Sequence, residues 1–129
     1  PAHAEVTERE LRAGQRLVAV TAGDEVLLLT VYSGDGLPSA KKALTVHVEE
    51  LEKQVLDSGT VHRATHKQKL LGRTRTGAQL GWRDGEVSWQ ARVVVAKRKG
   101  RVVVASWSSP RDRMGRAFAP SVVASIAIP

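Results

Sequence analysis

The stretch from Gly77 to Pro110 constrains the fold more than any other, because two tight reversals sit inside a run of strand-forming residues. Asp84-Gly85 is a dipeptide that supplies positive φ and matches strand twist, and Lys99-Gly100 offers a second reversal of the same kind. Two turns make three antiparallel strands. Pairing about Asp84-Gly85 sets Trp82 opposite Val87, Leu80 opposite Trp89 and Ala78 opposite Ala91, with Val93 and Val95 continuing that face. This face is expected to be core. The other face carries Gln79, Ser88, Gln90, Arg92 and Val94, joined by Val103, Ala105 and Trp107 when Lys99-Gly100 makes the turn. Neither wholly polar nor wholly apolar, it has the composition of a surface covered in part or facing a ligand. Either a partner or a helix of the chain itself covers it.

Upstream, Leu17-Val-Ala-Val20 and Val26-Leu-Leu-Leu-Thr-Val-Tyr32 are short apolar runs bounded by glycines, which argues for strands over helices. Ser39 is placed to cap a helix whose apolar positions Leu44, Val48, Leu51 and Val55 step by three and four, and Gly59 ends it. His47, beside that stripe, is expected to be partly buried with one hydrogen bond. Thr60 to Leu71 has the pattern of a strand exposed on one side, and another strand begins after Gly72. Arg111 to Pro120 has no clear pattern. Phe118, Val122, Val123 and Ile126 then keep helical spacing, with Pro120 tolerated in the first turn of a short terminal helix that packs on the sheet. The resulting order is β-β-α-β-β-β-β-α with an optional strand at the start. Strands around one helix, joined by tight turns, indicate an α+β fold with a largely antiparallel sheet flanked by helices, in a single domain over residues 1–129.

At 129 residues the chain is long enough for a core without metal or disulfide support, and it has no cysteine. That excludes a thiol nucleophile, a disulfide framework and a cysteine-ligated metal. No run approaches the ~18 apolar residues that span a bilayer. The opening Pro1-Ala-His-Ala4 lacks methionine and faintly resembles the end of a signal-cleavage site, so an upstream part is expected to have been removed. The compartment stays open, since a cysteine-free chain can live on either side of a membrane.

The chain holds no recognisable catalytic constellation. His62 and His66 would share a helix face at ligand distance, but on a strand they stand ~13 Å apart, too far to chelate one ion. Ser106, Ser108 and Ser109 lack the strand-to-helix elbow of a nucleophile, and Gly72, Gly77 and Gly81 do not make a phosphate-cradling loop. Asp84 and Glu86 sit at a turn, open to solvent. No enzyme, no metal and no cofactor is therefore expected.

Charge is unevenly spread within the net +7. Residues 1–59 hold 6 basic and 10 acidic side chains (−4), residues 60–101 hold 11 and 2 (+9), and residues 102–129 hold 3 and 1 (+2). The middle of the chain holds the positive field. Arg63, Lys67, Lys69, Arg73, Lys97, Arg98 and Lys99 either solvate strand faces and guard an edge or attract an anionic partner. Nucleic acid is disfavoured, since few aromatics are free to stack: Trp82 and Trp89 fall on the core face and Trp107 alone remains.

In its second half the chain resembles the PsbP-like superfamily, nearest its DcrB-like bacterial branch. The resemblance runs through Leu70-Leu-Gly72, Gly77-Ala-Gln-Leu-Gly-Trp82, the Asp84-Gly85 turn, Trp89-Gln-Ala-Arg-Val93, Arg101-Val-Val-Val-Ala-Ser-Trp107 with Pro110, and a terminal helix bearing Phe118. It covers roughly residues 24–128, while the Pro-x-x-Trp opening of such bacterial domains is missing. It implies a non-enzymatic sheet flanked by helices that binds proteins. Photosystem accessory subunits, envelope lipoproteins, a Ran-binding transport factor and chaperones that shield membrane helices of secretion effectors have that form. The absence of asparagine and the wealth of Ala, Val and Arg suit a GC-rich bacterial genome. Gln90, Arg92, Val94 and Trp107 are accordingly expected to hold a protein partner, such as a secreted effector or a membrane-associated segment. Arg92, opposite Trp107, would form a flat platform with it. A homodimer is also open. The competing expectation is electrostatic binding of nucleic acid or an anionic membrane by the basic residues.

Overall fold

The computed structural model describes residues 5–55 and 60–127. Pro1 to Ala4 and Gly59, on which the cleavage-site and helix-stop readings fell, lie outside the described residues. The strands are β1 (Glu5–Arg12), β2 (Gln15–Ala22), β3 (Glu25–Ser33), β4 (His62–Leu70), β5 (Arg73–Asp84), β6 (Val87–Arg98) and β7 (Arg101–Pro110). Helix α1 (Ala40–Val55) stands between β3 and β4, and a 3-10 helix (Arg111–Arg116) followed by α2 (Ala119–Ser125) completes the described chain. All seven strands form one antiparallel sheet in the order β1-β2-β3-β7-β6-β5-β4. The fold is α+β, a seven-stranded antiparallel sheet with helices on both faces.

Short hairpins build both halves, and the long-range contact is β3 against β7 in the centre. The expected reversal at Lys99-Gly100 is present, with both central residues at positive φ (51° and 71°) and Arg98 opposite Arg101. That geometry matches strand twist. The reversal at Asp84-Gly85 is corrected. Asp84 stays in β5 opposite Val87, and Gly85 takes the first central place of the turn at φ 62°. Glycine at that place followed by an ordinary residue is the other hairpin turn that twist allows. The slide moves pairing by one residue on each strand, so Trp82 faces Trp89, Leu80 faces Ala91 and Ala78 faces Val93. Each side chain keeps its face.

Ser39 caps α1 through its Oγ, which accepts from the Lys42 N–H at 3.1 Å. The helix lays Ala43 and Val48 on Leu80, Val93, Val95, Val102 and Val104, flanked by Leu44 and Leu51. His47 is half-buried and shares a 2.9 Å hydrogen bond with the Tyr32 hydroxyl, as its place beside the stripe suggested. On the opposite face Met114, Ala119 and Val123 pack over Leu27, Val94, Val103, Ala105 and Trp107. The terminal helix starts where Glu25 accepts the N–H groups of Phe118 (3.1 Å) and Ala119 (3.0 Å), a carboxylate at the helix end that favours negative charge. The Gln68 amide, also buried, donates to the Pro120 carbonyl at 3.0 Å and ties β4 to α2. The optional first strand is real. β1 is exposed along its whole length and rich in charge, which protects an edge from pairing with another chain.

Candidate functional site

Gln90, Arg92, Val94 and Trp107 share one face, and Arg92 lies opposite Trp107 in register. The expected open platform is nonetheless corrected. Trp107 and Val94 are each 1% exposed, roofed by the 3-10 helix and α2, so these two side chains offer a partner no surface. Of the two coverings open to that face, the chain supplies its own. A terminal segment with one apolar stripe gains more by burying it on Trp107, Ala105 and Val94 than by leaving both surfaces in water. Trp107, the tryptophan assigned to stacking, is thus core. Trp89, assigned to the core, is half-buried and pairs with the half-buried Trp82.

What remains open on the sheet lies beyond the edge of that roof, where the start of β4 meets the β5–β6 hairpin. A cleft of about 530 Å³ is lined there by Trp82, Trp89, Gln79, Gln90, His62 and Ser88. Gly81 forms part of its wall, in register between His62 of β4 and Gln90 of β6. Without a side chain it leaves backbone bare between its neighbours, and the hollow follows. Arg63, Arg83 and Arg111 add three guanidinium groups to the lining, and no carboxylate among the described residues lines it. Arg63 is bidentate on Glu52, its Nε donating at 2.6 Å, and Arg83 Nε donates to the Gly85 carbonyl at 3.1 Å. Arg111 is exposed and stands in no ion pair among the described residues.

Just inside the cleft the polar residues hold one another. Arg92 Nε donates to Gln79 Oε1 at 2.9 Å, and burial pulls its guanidinium below the ordinary arginine range, though such a group stays charged. His66 meets the Trp107 ring edge-on, centroids 6.4 Å apart. Burial first, and the Arg92 charge second, lower its pKa. His47 is also lowered, by burial, with Glu50 acting the other way. A histidine whose folded pKa lies below its unfolded one takes up protons more readily when unfolded. Stability is therefore complete above about pH 6.5 and is lost as pH falls through that value toward the folded pKa values. Urea midpoints should drop between pH 7.5 and 5.5, and His47→Gln with His66→Gln should flatten the profile. A wild-type midpoint constant across that window would contradict both environments.

The basic residues do not form one patch. Arg63 stands near the cleft and is ion-paired with Glu52, which removes it from any free positive surface. Lys67 stands farther along the β4 edge, while Lys69, Arg73, Lys97, Arg98 and Lys99 gather at the opposite end of the sheet. His62 and His66 are on a strand, as read, and among the described residues no three His, Asp or Glu side chains are placed to hold a metal. Gln79, Ser88 and Gln90 were legible as the polar part of the mixed face. Arg83 and Arg111 were not, because their meeting depends on how the segment after Pro110 returns.

No family model and no curated protein matches the chain. The structure is similar to that of LpqN, involved in cell envelope biogenesis of Mycobacterium tuberculosis, at 15% identity and a TM-score of 0.47. The match covers 94% of this chain and 87% of that one.

Proposed function

We propose that this chain is a non-enzymatic protein-binding module that holds an acidic partner segment in the cleft at the β5–β6 hairpin. The observation that carries the reading is the lining: guanidinium groups, two tryptophans and two glutamines, with no carboxylate among the described residues. Guanidinium forks match carboxylates and stack on aromatic faces, and indoles supply apolar area with few rotamers to freeze. Of the residues first expected to bind, Gln90 lines the cleft and Arg92 sits behind it, held by Gln79. Against catalysis stands the disconnection of the groups present: Ser88 and His62 both line the cleft, yet among the described residues no hydrogen bond joins them and no carboxylate of the lining can orient the imidazole. The resemblance to PsbP-like and DcrB-like domains supports a finer role, an adaptor or chaperone for secretion or the cell envelope.

Selection of displayed random peptides on the immobilised chain tests the reading. Peptides rich in Asp and Glu with an aromatic residue should be enriched, and Arg83→Glu with Arg111→Glu should abolish the enrichment. Substituting Lys97 and Lys99 by glutamine should leave it intact. If the arginine reversals change nothing, or the lysine substitutions remove the enrichment, the cleft is not the binding site.

A further inference from the structure

The end of the sheet opposite the cleft brings together cations that are far apart in sequence. Ser33 N donates to the Gly14 carbonyl at 2.8 Å, Ser33 pairs with Arg101, and Arg98 Nη1 reaches the Leu71 carbonyl at 3.4 Å. The Ala13-Gly14, Leu71-Gly72 and Lys99-Gly100 turns therefore lie side by side. Lys69 and Arg73 flank one turn, Lys97 and Arg101 flank another with Lys99 at its tip, and Arg12 closes β1. The short link from Ser33 to Ala40 starts α1 at the same end, so Lys41 and Lys42 join them. All these side chains are exposed, and none is in an ion pair among the described residues. The carboxylates at this end are Glu10 and Asp35.

We propose that this end of the molecule docks on an anionic lipid bilayer. Seven strand ends at the usual inter-strand spacing make a row roughly 29 Å long, and charges spread along such a row suit a flat surface. Leu11, 41% exposed beside Arg12 and the exposed Ala13, gives the row an apolar tip at one corner. Polybasic segments gain from the negative potential of a bilayer over about a Debye length, and an apolar side chain inserts at the headgroup level. Nucleic acid fits less well. No tryptophan or phenylalanine stands at this end, and Tyr32 is turned to His47 beneath α1, so there is nothing for bases to stack on. Docked this way, the cleft points away from the membrane and stays open to a partner.

Co-sedimentation with vesicles tests the proposal. The chain should bind vesicles of phosphatidylcholine with three-tenths phosphatidylglycerol at 0.1 M salt, should not bind pure phosphatidylcholine, and should be released by 0.5 M salt. Lys41→Gln, Lys69→Gln and Lys97→Gln together should weaken binding roughly a hundredfold, at about fivefold per cation. Leu11→Asp should weaken it further, and Arg83→Glu at the far end should not. All are surface positions, and equal melting temperatures establish that each variant folds. Equal binding to neutral vesicles, a triple variant that binds like wild type, or no sedimentation at all would overturn the proposal. So would tighter binding to a DNA duplex that ignores Leu11→Asp, which would assign this end to nucleic acid.

Discussion

Gly77→Ala should cost about 3 kcal/mol or more of stability, enough to unfold a marginally stable domain of this size. A Cβ on Gly77 would collide with the Val93 carbonyl oxygen and stand 3.1 Å from its carbon and 3.2 Å from the Val94 Cα. All three are backbone atoms of the neighbouring strand, so no rotamer change relieves the contact. The regular β5–β6 register stops at Ala78 opposite Val93, and Gly77 is where the two backbones crowd. Gly81→Ala is the matched control. Its Cβ would meet only the Trp89 carbonyl oxygen at 3.8 Å, an ordinary contact, so the fold should tolerate it. Urea denaturation of the two variants checks this. A Gly77→Ala variant within about 1 kcal/mol of wild type would mean that β5 and β6 do not approach so closely.

The contrast between these glycines also shows what a sequence read alone conveys and what it conceals. Both appear as small residues in a strand run, and nothing local distinguishes the one that a neighbouring backbone crowds from the one that opens a cleft. Turn chemistry, by contrast, is local. Lys99-Gly100 could be placed from its dipeptide, and with it the pairing of Arg92 with Trp107. At Asp84-Gly85-Glu86 two hairpin turns compete, one central on Asp-Gly and one on Gly-Glu, and the sequence admits both. Because either choice preserves side-chain alternation, the faces were legible even though the partners were two positions off. The covering of a face is not local at all. Whether Val94 and Trp107 meet a partner or the chain's own terminus depends on the path after Pro110, where the 3-10 turn has no periodic signature. Arg63 tells the same story for charge, since its pairing with Glu52 needs α1 to return along β4.

Trp107→Ala is the second large effect, with an expected loss of about 3–5 kcal/mol for emptying a fully buried aromatic site. Trp107 touches the core on the α2 face, in register between Arg92 of β6 and Leu27 of β3, and its removal leaves a void that Met114, Ala119 and Val123 cannot fill from a short helix and a 3-10 turn. The indole Nε1 is buried and has no hydrogen-bond partner among the described residues. Burying that N–H unpaired costs its desolvation, so Trp107→Phe, which keeps much of the ring and deletes the donor, should cost far less than the alanine change, about 1 kcal/mol. Trp89→Ala should fall below Trp107→Ala as well, since Trp89 is half-buried beside the cleft and its loss exposes a wall that water already reaches. The order Trp107→Ala, then Trp89→Ala, then Trp107→Phe is what denaturation should return. A larger loss at Trp89 than at Trp107 would exchange the two faces. It would place the terminal helix elsewhere and reopen the Arg92–Trp107 surface to a partner.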